Sequence, residues 1–279
     1  MVKIAFGQER QLGKAIQIEG LSDSNGIFSA QHVSDGHVFW GAQKLGYYSS
    51  TGYDFLFNGG LIETGRWQPW NNEFRVILRK IDHPVPLRVK SVETTVPCVD
   101  KAAGYDLMVG DWTPPYGTGS IADVFFSVSR NMINNRNYDS SLSISFSNNT
   151  DGFQSIPPDQ IIKGCELWLP HLAPESGYVN KLTWRMARIP GLDKMSGSSF
   201  YNDAEKYGPL FYRVRSVTNS DGKVISAIYG KISQFQFDPR ESTSALIRFS
   251  YYLNATENDR NLEYSGENLF KDDGQQYPP

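Results

Sequence analysis

The chain has 279 residues, enough for one large domain or two ordinary ones. Apolar residues make up 39% and charged residues 20%, a balance that excludes wholesale disorder, and the 13% aromatic share, mostly Tyr and Phe, suits sheets. The formal net charge is −3 with Lys and Arg scattered, which argues against a nucleic-acid partner, and no apolar stretch approaches the ~18 residues that a membrane helix needs.

In chain order, Lys14 to Gly20 alternates as a half-buried strand does, and Ser22 to Gly26 is a turn cluster. Val38-Phe39-Trp40 reads as a short strand, and Tyr47 to Gly60, rich in Gly, Tyr and Phe, as strand and loop. Phe74 to Ile81 predicts the first strong strand. Val85 and Leu87 to Val92 continue past Pro84 and Pro86, which exclude a helix interior and put a bend at an edge or corner. Tyr105 to Val109 is a further short run. Asp123 to Ser129 and Ser141 to Phe146 both predict strands. In the second, Leu142, Ile144 and Phe146 alternate with serines, the pattern of an edge or outer strand with one wet face. Asn148 to Gly152 ends it. Ser155 to Asp159, stiffened by Pro157 and Pro158, is the expected domain boundary.

Beyond it come short runs at Glu166 to Leu169, Lys181 to Trp184, Ser233 to Phe237 and Ala245 to Tyr252. The strongest signal is a hairpin: two β-branched and aromatic runs between Tyr207 and Ile232 flank Asn219-Ser220-Asp221-Gly222. The polar tail from Lys271 to Pro279 is expected to fray. No long amphipathic helix pattern and no fixed-period repeat is present. The expectation is an all-β fold, sandwich- or jelly-roll-like, with two packed antiparallel β units over residues 1–155 and 156–270 and a tail at 271–279.

Leu182-Thr183-Trp184, followed by Phe211-Tyr212-Arg213-Val214-Arg215-Ser216-Val217, resembles a fibronectin type III module over residues 182–232. In that family an early strand carries a core Trp, and a late strand carries an aromatic–x–Val–x–Val alternation before a glycine turn. The spacing from Trp184 to Tyr212 is short for the strands the family places between them. The resemblance implies an adhesion, binding or accessory module.

Two loops mix aromatics, carboxylates, glycines and prolines: Glu63 to Glu73, with Arg66, Trp67 and Trp70, and Gly110 to Gly119, with Asp111, Trp112 and Tyr116. Flat rings meeting the C–H faces of sugars, with carboxylates bonding hydroxyls, make Glu63, Arg66, Trp67, Trp70, Asp111, Trp112 and Tyr116 the candidate ligand-binding residues. Core packing is the competing role for these tryptophans, and Tyr47, Tyr48 and Tyr53 carry the same ambiguity. Glu63, Glu73 and Asp111 are candidates for a glycosidase's carboxylate pair.

Cys98 and Cys165 form neither a disulfide framework nor a zinc pattern and are expected to be free, buried thiols. His32, His37, His83 and His171 lack metal-ligand spacing, and no phosphate loop, dinucleotide fingerprint or nucleophile elbow is present, so no metal, cofactor or catalytic residue is expected. Asn148-Asn-Thr150 and Asn254-Ala-Thr256 match the glycosylation sequon. The N-terminal apolar run is shorter than a signal peptide's, so an extracellular or cell-surface location is expected only if a leader was removed. The functional expectation is a non-enzymatic binding or structural module, with a glycan as the ligand. The alternatives are a carbohydrate-active enzyme and a protein self-assembling through strand edges into a surface layer, fibre or virion.

Overall fold

The computed structural model describes residues 1–6, 16–32, 36–55, 72–190, 198–202, 208–241 and 243–270. Strand makes up 52% and helix 1%, so the class is all-β and sandwich-like. Among the described residues no helix is long and apolar enough to cross a membrane. By their contacts the residues form two compact units, one of Met1–Asp82 with Ile161–Trp168, the other of His83–Gln160 with Leu169–Pro278. Ser155 to Asp159, the expected boundary, lies inside the second unit: the strand ending at Ser155 pairs with Leu210–Arg213, and Ile156 N–H donates to Pro209 O at 3.0 Å. Two prolines stiffen this stretch without detaching it.

The first unit holds a four-stranded antiparallel sheet of β1 (Val2–Phe6), β2 (Ile16–Gly20), β3 (His37–Ala42) and β4 (Ser50–Phe55), in the order β2-β1-β3-β4. The run 74–81 is extended but forms only scattered pairings. Tyr48 N–H donates to Arg79 O, Ile81 N–H to Gly46 O, and Ser50 Oγ to Ile77 O, at 2.7 to 2.9 Å. Burial alternates along 72–78 with a period of two, while among the described residues the run forms no continuous ladder. Ile161–Trp168 joins this unit by lying along β4: Thr51 N–H donates to Gly164 O and Glu166 N–H to Ser49 O, and Tyr48, Cys165 and Leu167 form a small buried cluster.

The second unit has two six-stranded sheets. One contains β5 (Val85–Thr95), β10 (Gly152–Ser155), β13 (Leu210–Thr218), β14 (Val224–Asp238), β15 (Leu246–Asn254) and β16 (Tyr264–Asn268) in the order β10-β13-β14-β15-β5-β16. The other contains β6 (Ala102–Asp106), β7 (Asp111–Trp112), β8 (Val124–Asn134), β9 (Asn137–Ser145), β11 (Lys181–Pro190) and β12 (Ser198–Asn202) in the order β12-β11-β9-β8-β6-β7. The pairings are antiparallel except β5 with β16, which is parallel. Pro86 is tolerated because the β15 ladder begins at Arg88, so its missing N–H costs no rung there. The expected hairpin forms between β13 and β14, and Gly222 takes the positive φ of 76° that closes its turn.

Alternation builds the core. Val128, Leu142 and Trp184 make one row across β8, β9 and β11, and Phe126, Ile144 and Leu182 make the next. Facing them, β15 supplies Phe249, whose ring lies 5.8 Å from Phe126, 5.7 Å from Tyr105 and 5.9 Å from Phe235, with Trp184 stacked 4.7 Å from Phe235. Trp184 and Tyr212, the residues that carry the type III resemblance, both face this core.

Ser141 to Phe146 corrects an expectation. β9 is an interior strand, paired with β8 on one side and β11 on the other, so it offers no free edge for assembly. Ser141, Ser143 and Ser145 line the less buried face of the sheet, where Ser143 and Thr183 hydroxyls meet at 3.1 Å. Period-two polarity reports a wet face, which an interior strand can have as well as an edge one.

One ion-pair network closes the end of this sandwich. A register shift in β13 after Val214 releases Arg215, at φ 55°, from the ladder. Its guanidinium reaches Asp123 at 2.7 Å and Asp106 at 2.9 Å, both fully buried. Asp106 also accepts the N–H groups of Met108, Val109, Ser120 and Ile121, and Asp123 that of Leu107. Burial pushes the Asp106 carboxyl up, but its backbone N–H donors and Arg215 hold it below the ordinary value. For Asp123 burial outweighs Arg215, so its pKa is raised.

Removing the cation from two buried carboxylates should cost about 3 kcal/mol, so Arg215→Met is expected to lower the urea midpoint of this unit, read by tryptophan fluorescence. The pH dependence has a sign. Asp106 titrates lower folded than unfolded, so its contribution is complete above the unfolded value and fades as pH falls through the folded one. The stability gap between wild type and Asp106→Asn should therefore shrink below pH 3.8, the ordinary aspartate value. Asp123 acts oppositely, losing stability as pH rises from its unfolded value to its raised folded one. A gap constant down to pH 2 would remove the assignment.

Candidate functional site

Of the residues picked out by the sequence, Glu63, Arg66, Trp67 and Trp70 lie outside the described residues. Asp111, Trp112 and Tyr116 belong to the second unit, where the β6–β7 hairpin makes a packed corner. Trp112 is 6% exposed, edge-on to Tyr105 at 5.3 Å and to Phe126 at 5.5 Å, with its indole N–H donated to Thr94 Oγ1. Its ring is a core ring, not one that a ligand can stack on. Asp111 folds its own loop: Oδ1 accepts Trp112 N–H, and Oδ2 accepts the N–H and hydroxyl of Thr118, each at 2.8 Å. The Thr118 N–H is the leading cause that holds this carboxyl below the ordinary range. Tyr116 is exposed, and its phenol is pushed upward by a hydrogen bond with the Cys98 thiol. Cys98 is half-buried and Cys165 buried, and both are free thiols.

A groove of about 1200 Å³ lies in the first unit. Its wall is one face of β3. Strand geometry sends Val38, Trp40 and Ala42 to that face, and all three line the groove. Trp40 pairs with Gly52 across β4, and a Cβ at position 52 would fall inside its ring, so only glycine lets the indole lie flat on the sheet. The opposite wall is the extended run 72–78, whose alternate residues Asn72, Phe74, Val76 and Leu78 turn inward. Phe74 lies 6.4 Å from the Trp40 ring at 30°. The Lys44 ammonium sits 4.5 Å over the Tyr47 ring, and both residues line the groove with Gln43 and Glu73. The groove thus combines apolar and aromatic walls with a few polar groups, the usual build of a small-ligand site. Among the described lining residues Glu73 is the one carboxylate.

The sequence had marked Glu73, Tyr47 and Phe74 separately, for an acid, a ring and a strand. It missed Trp40, Gln43 and Lys44. The usable signal was the alternation from Val38 to Ala42, which divides Trp40 from Phe39. Comparison with protein-family models, curated proteins and solved structures found no match to this chain.

The two sequons resolve into turns. Asn148 Oδ1 accepts the N–H and hydroxyl of Thr150, and its amide donates to Ser216 O. Asn254 is 2% exposed, accepts Thr256 N–H, and donates to Asp259 and Asn261 O. Secretion from a glycosylating host should therefore yield folded protein with neither asparagine modified. Intact-mass spectra before and after glycosidase treatment should coincide, and a glycan on either residue would contradict the packing.

Proposed function

We propose that the protein is a non-enzymatic binding module that takes a glycan in the groove of its first unit. The observation that carries this reading is the convergence of Trp40, Tyr47 and Phe74 with Gln43, Asn72 and Glu73 along one groove. The π faces of such rings are electron-rich and suit the polarised C–H faces of a pyranose, while amide and carboxylate groups suit its hydroxyls. Cleavage of a glycosidic bond uses two facing carboxylates. Glu73, a described lining residue, is a carboxylate suited to accept a sugar hydroxyl.

The test is a neutral oligosaccharide array, followed by calorimetric titration of the wild type and variants with the best glycan found. Trp40→Ala should cost ~2 kcal/mol or more, roughly a 30-fold loss of affinity. Glu73→Gln, on an exposed side chain, should weaken binding without moving the melting temperature. Trp112→Ala is the control: it should lose about 3–5 kcal/mol of stability and keep its glycan affinity at low temperature. Absence of any glycan ligand, or a Trp40→Ala protein that binds like wild type, would remove the proposal.

A further inference from the structure

The same sheet has a second face, and it is built differently. The register sets two rows across the four strands: Gln17, Ala5, Phe39 and Tyr53 in one, and Glu19, Lys3, Gly41 and Thr51 in the other. With neighbouring strands ~4.8 Å apart, a row spans roughly 14 Å. Large rings would normally be buried on a sheet face, yet Phe39 is 45% and Tyr53 50% exposed. Their centroids are 4.8 Å apart, and His37 lies 5.6 Å from Tyr53, inclined by only 21°. The Tyr53 hydroxyl and His37 Nδ1 meet at 2.5 Å, which fixes both rings in place. A ring held by its neighbours in this way loses less side-chain freedom when a partner binds.

We propose that this face is a second binding surface, distinct from the groove, on which an extended neutral polysaccharide lies across the strands. The charge pattern selects the partner. Lys3 and Glu19 pair at 3.1 Å, and Gln17 also bonds Glu19, so among the described residues of the two rows the formal charges are matched. A single-stranded nucleic acid would also stack on rings, but its phosphates need a basic groove around them. An anionic membrane surface likewise calls for a cationic cluster. A polyhydroxylated neutral chain asks only for exposed rings and uncharged or paired polar groups, and these are what the two rows supply.

The groove and the face are read by different probes. Partition of the full chain onto microcrystalline cellulose, chitin and insoluble mannan measures the face, and titration with the soluble glycan of the preceding experiment measures the groove. The double variant Phe39→Ala, Tyr53→Ala should reduce partition onto at least one of the polysaccharides by about tenfold or more, with the soluble titration unchanged. Tyr53→Phe keeps the ring and should retain most of the partition, which separates loss of a ring from loss of fold. Unchanged melting curves for both variants complete the control. Wild-type protein that partitions on none of the three solids, a double variant that partitions like wild type, or ring-dependent binding of polyuridylate or anionic vesicles instead would overturn the proposal. Loss of soluble binding in Trp40→Ala with partition retained is expected if both sites exist, whereas failure of the groove alone leaves the face standing.

Discussion

A strand presents its side chains alternately to two faces, and every sheet in this protein is shaped by what each face meets. Where both faces of a strand find apolar cover, the run is buried throughout, as from Ala227 to Ile232 on β14. Where one face is wet, the sequence alternates, as in the serines of β9. In the first unit the same rule sends Trp40 into a groove and Phe39, its neighbour in sequence, onto the open face. One residue of register separates the two proposed surfaces, so a slip in β3 would exchange them.

In the second unit the alternation is completed by charge. A non-glycine residue at positive φ is strained by about 1–3 kcal/mol, and Arg215 adopts φ 55°. Leaving the ladder lets its guanidinium satisfy two carboxylates that bind the backbone of the 107–121 turns. The strain is local, and the N–H groups it serves are spread over two loops. That arrangement explains why Asp106, Asp111 and Asp123 lie so close in sequence to Trp112: all three acids accept backbone donors around a buried corner. A stretch rich in aromatics and acids looks the same in sequence whether it makes such a corner or a ligand platform. The tie-breaker is where the carboxylate oxygens point, which only the fold decides.

The all-β class was legible because turn residues punctuate period-two runs along the chain, and the β13–β14 hairpin was legible because Gly222 sits where a positive φ is needed. Sheet order was not. Nothing in Ser141 to Phe146 shows that β11 pairs on its far side, because Lys181–Arg188 arrives from about 40 residues away. The division into units was hidden for a similar reason. Ile161–Trp168 returns to β4 through backbone bonds from Thr51 and Glu166, and backbone bonds leave little trace in side-chain pattern. The candidate groove was half visible: the sequence picked out Glu73 as an acid and Tyr47 as a ring of ambiguous role, but only pairing with Gly52 reveals why Trp40 can lie flat.

The glycine at 52 is thus where sequence, packing and proposed function meet. A larger residue there would lift the indole from β4 and narrow the groove from the sheet side. Gly41 pairs with Lys3 and Thr51, and a Cβ there would make only ordinary contact with Thr51 and Ser50. Glycine weakens a strand through backbone entropy. At Gly52 the sheet gives up some strand stability, and what it gains in exchange is clear space for the Trp40 ring.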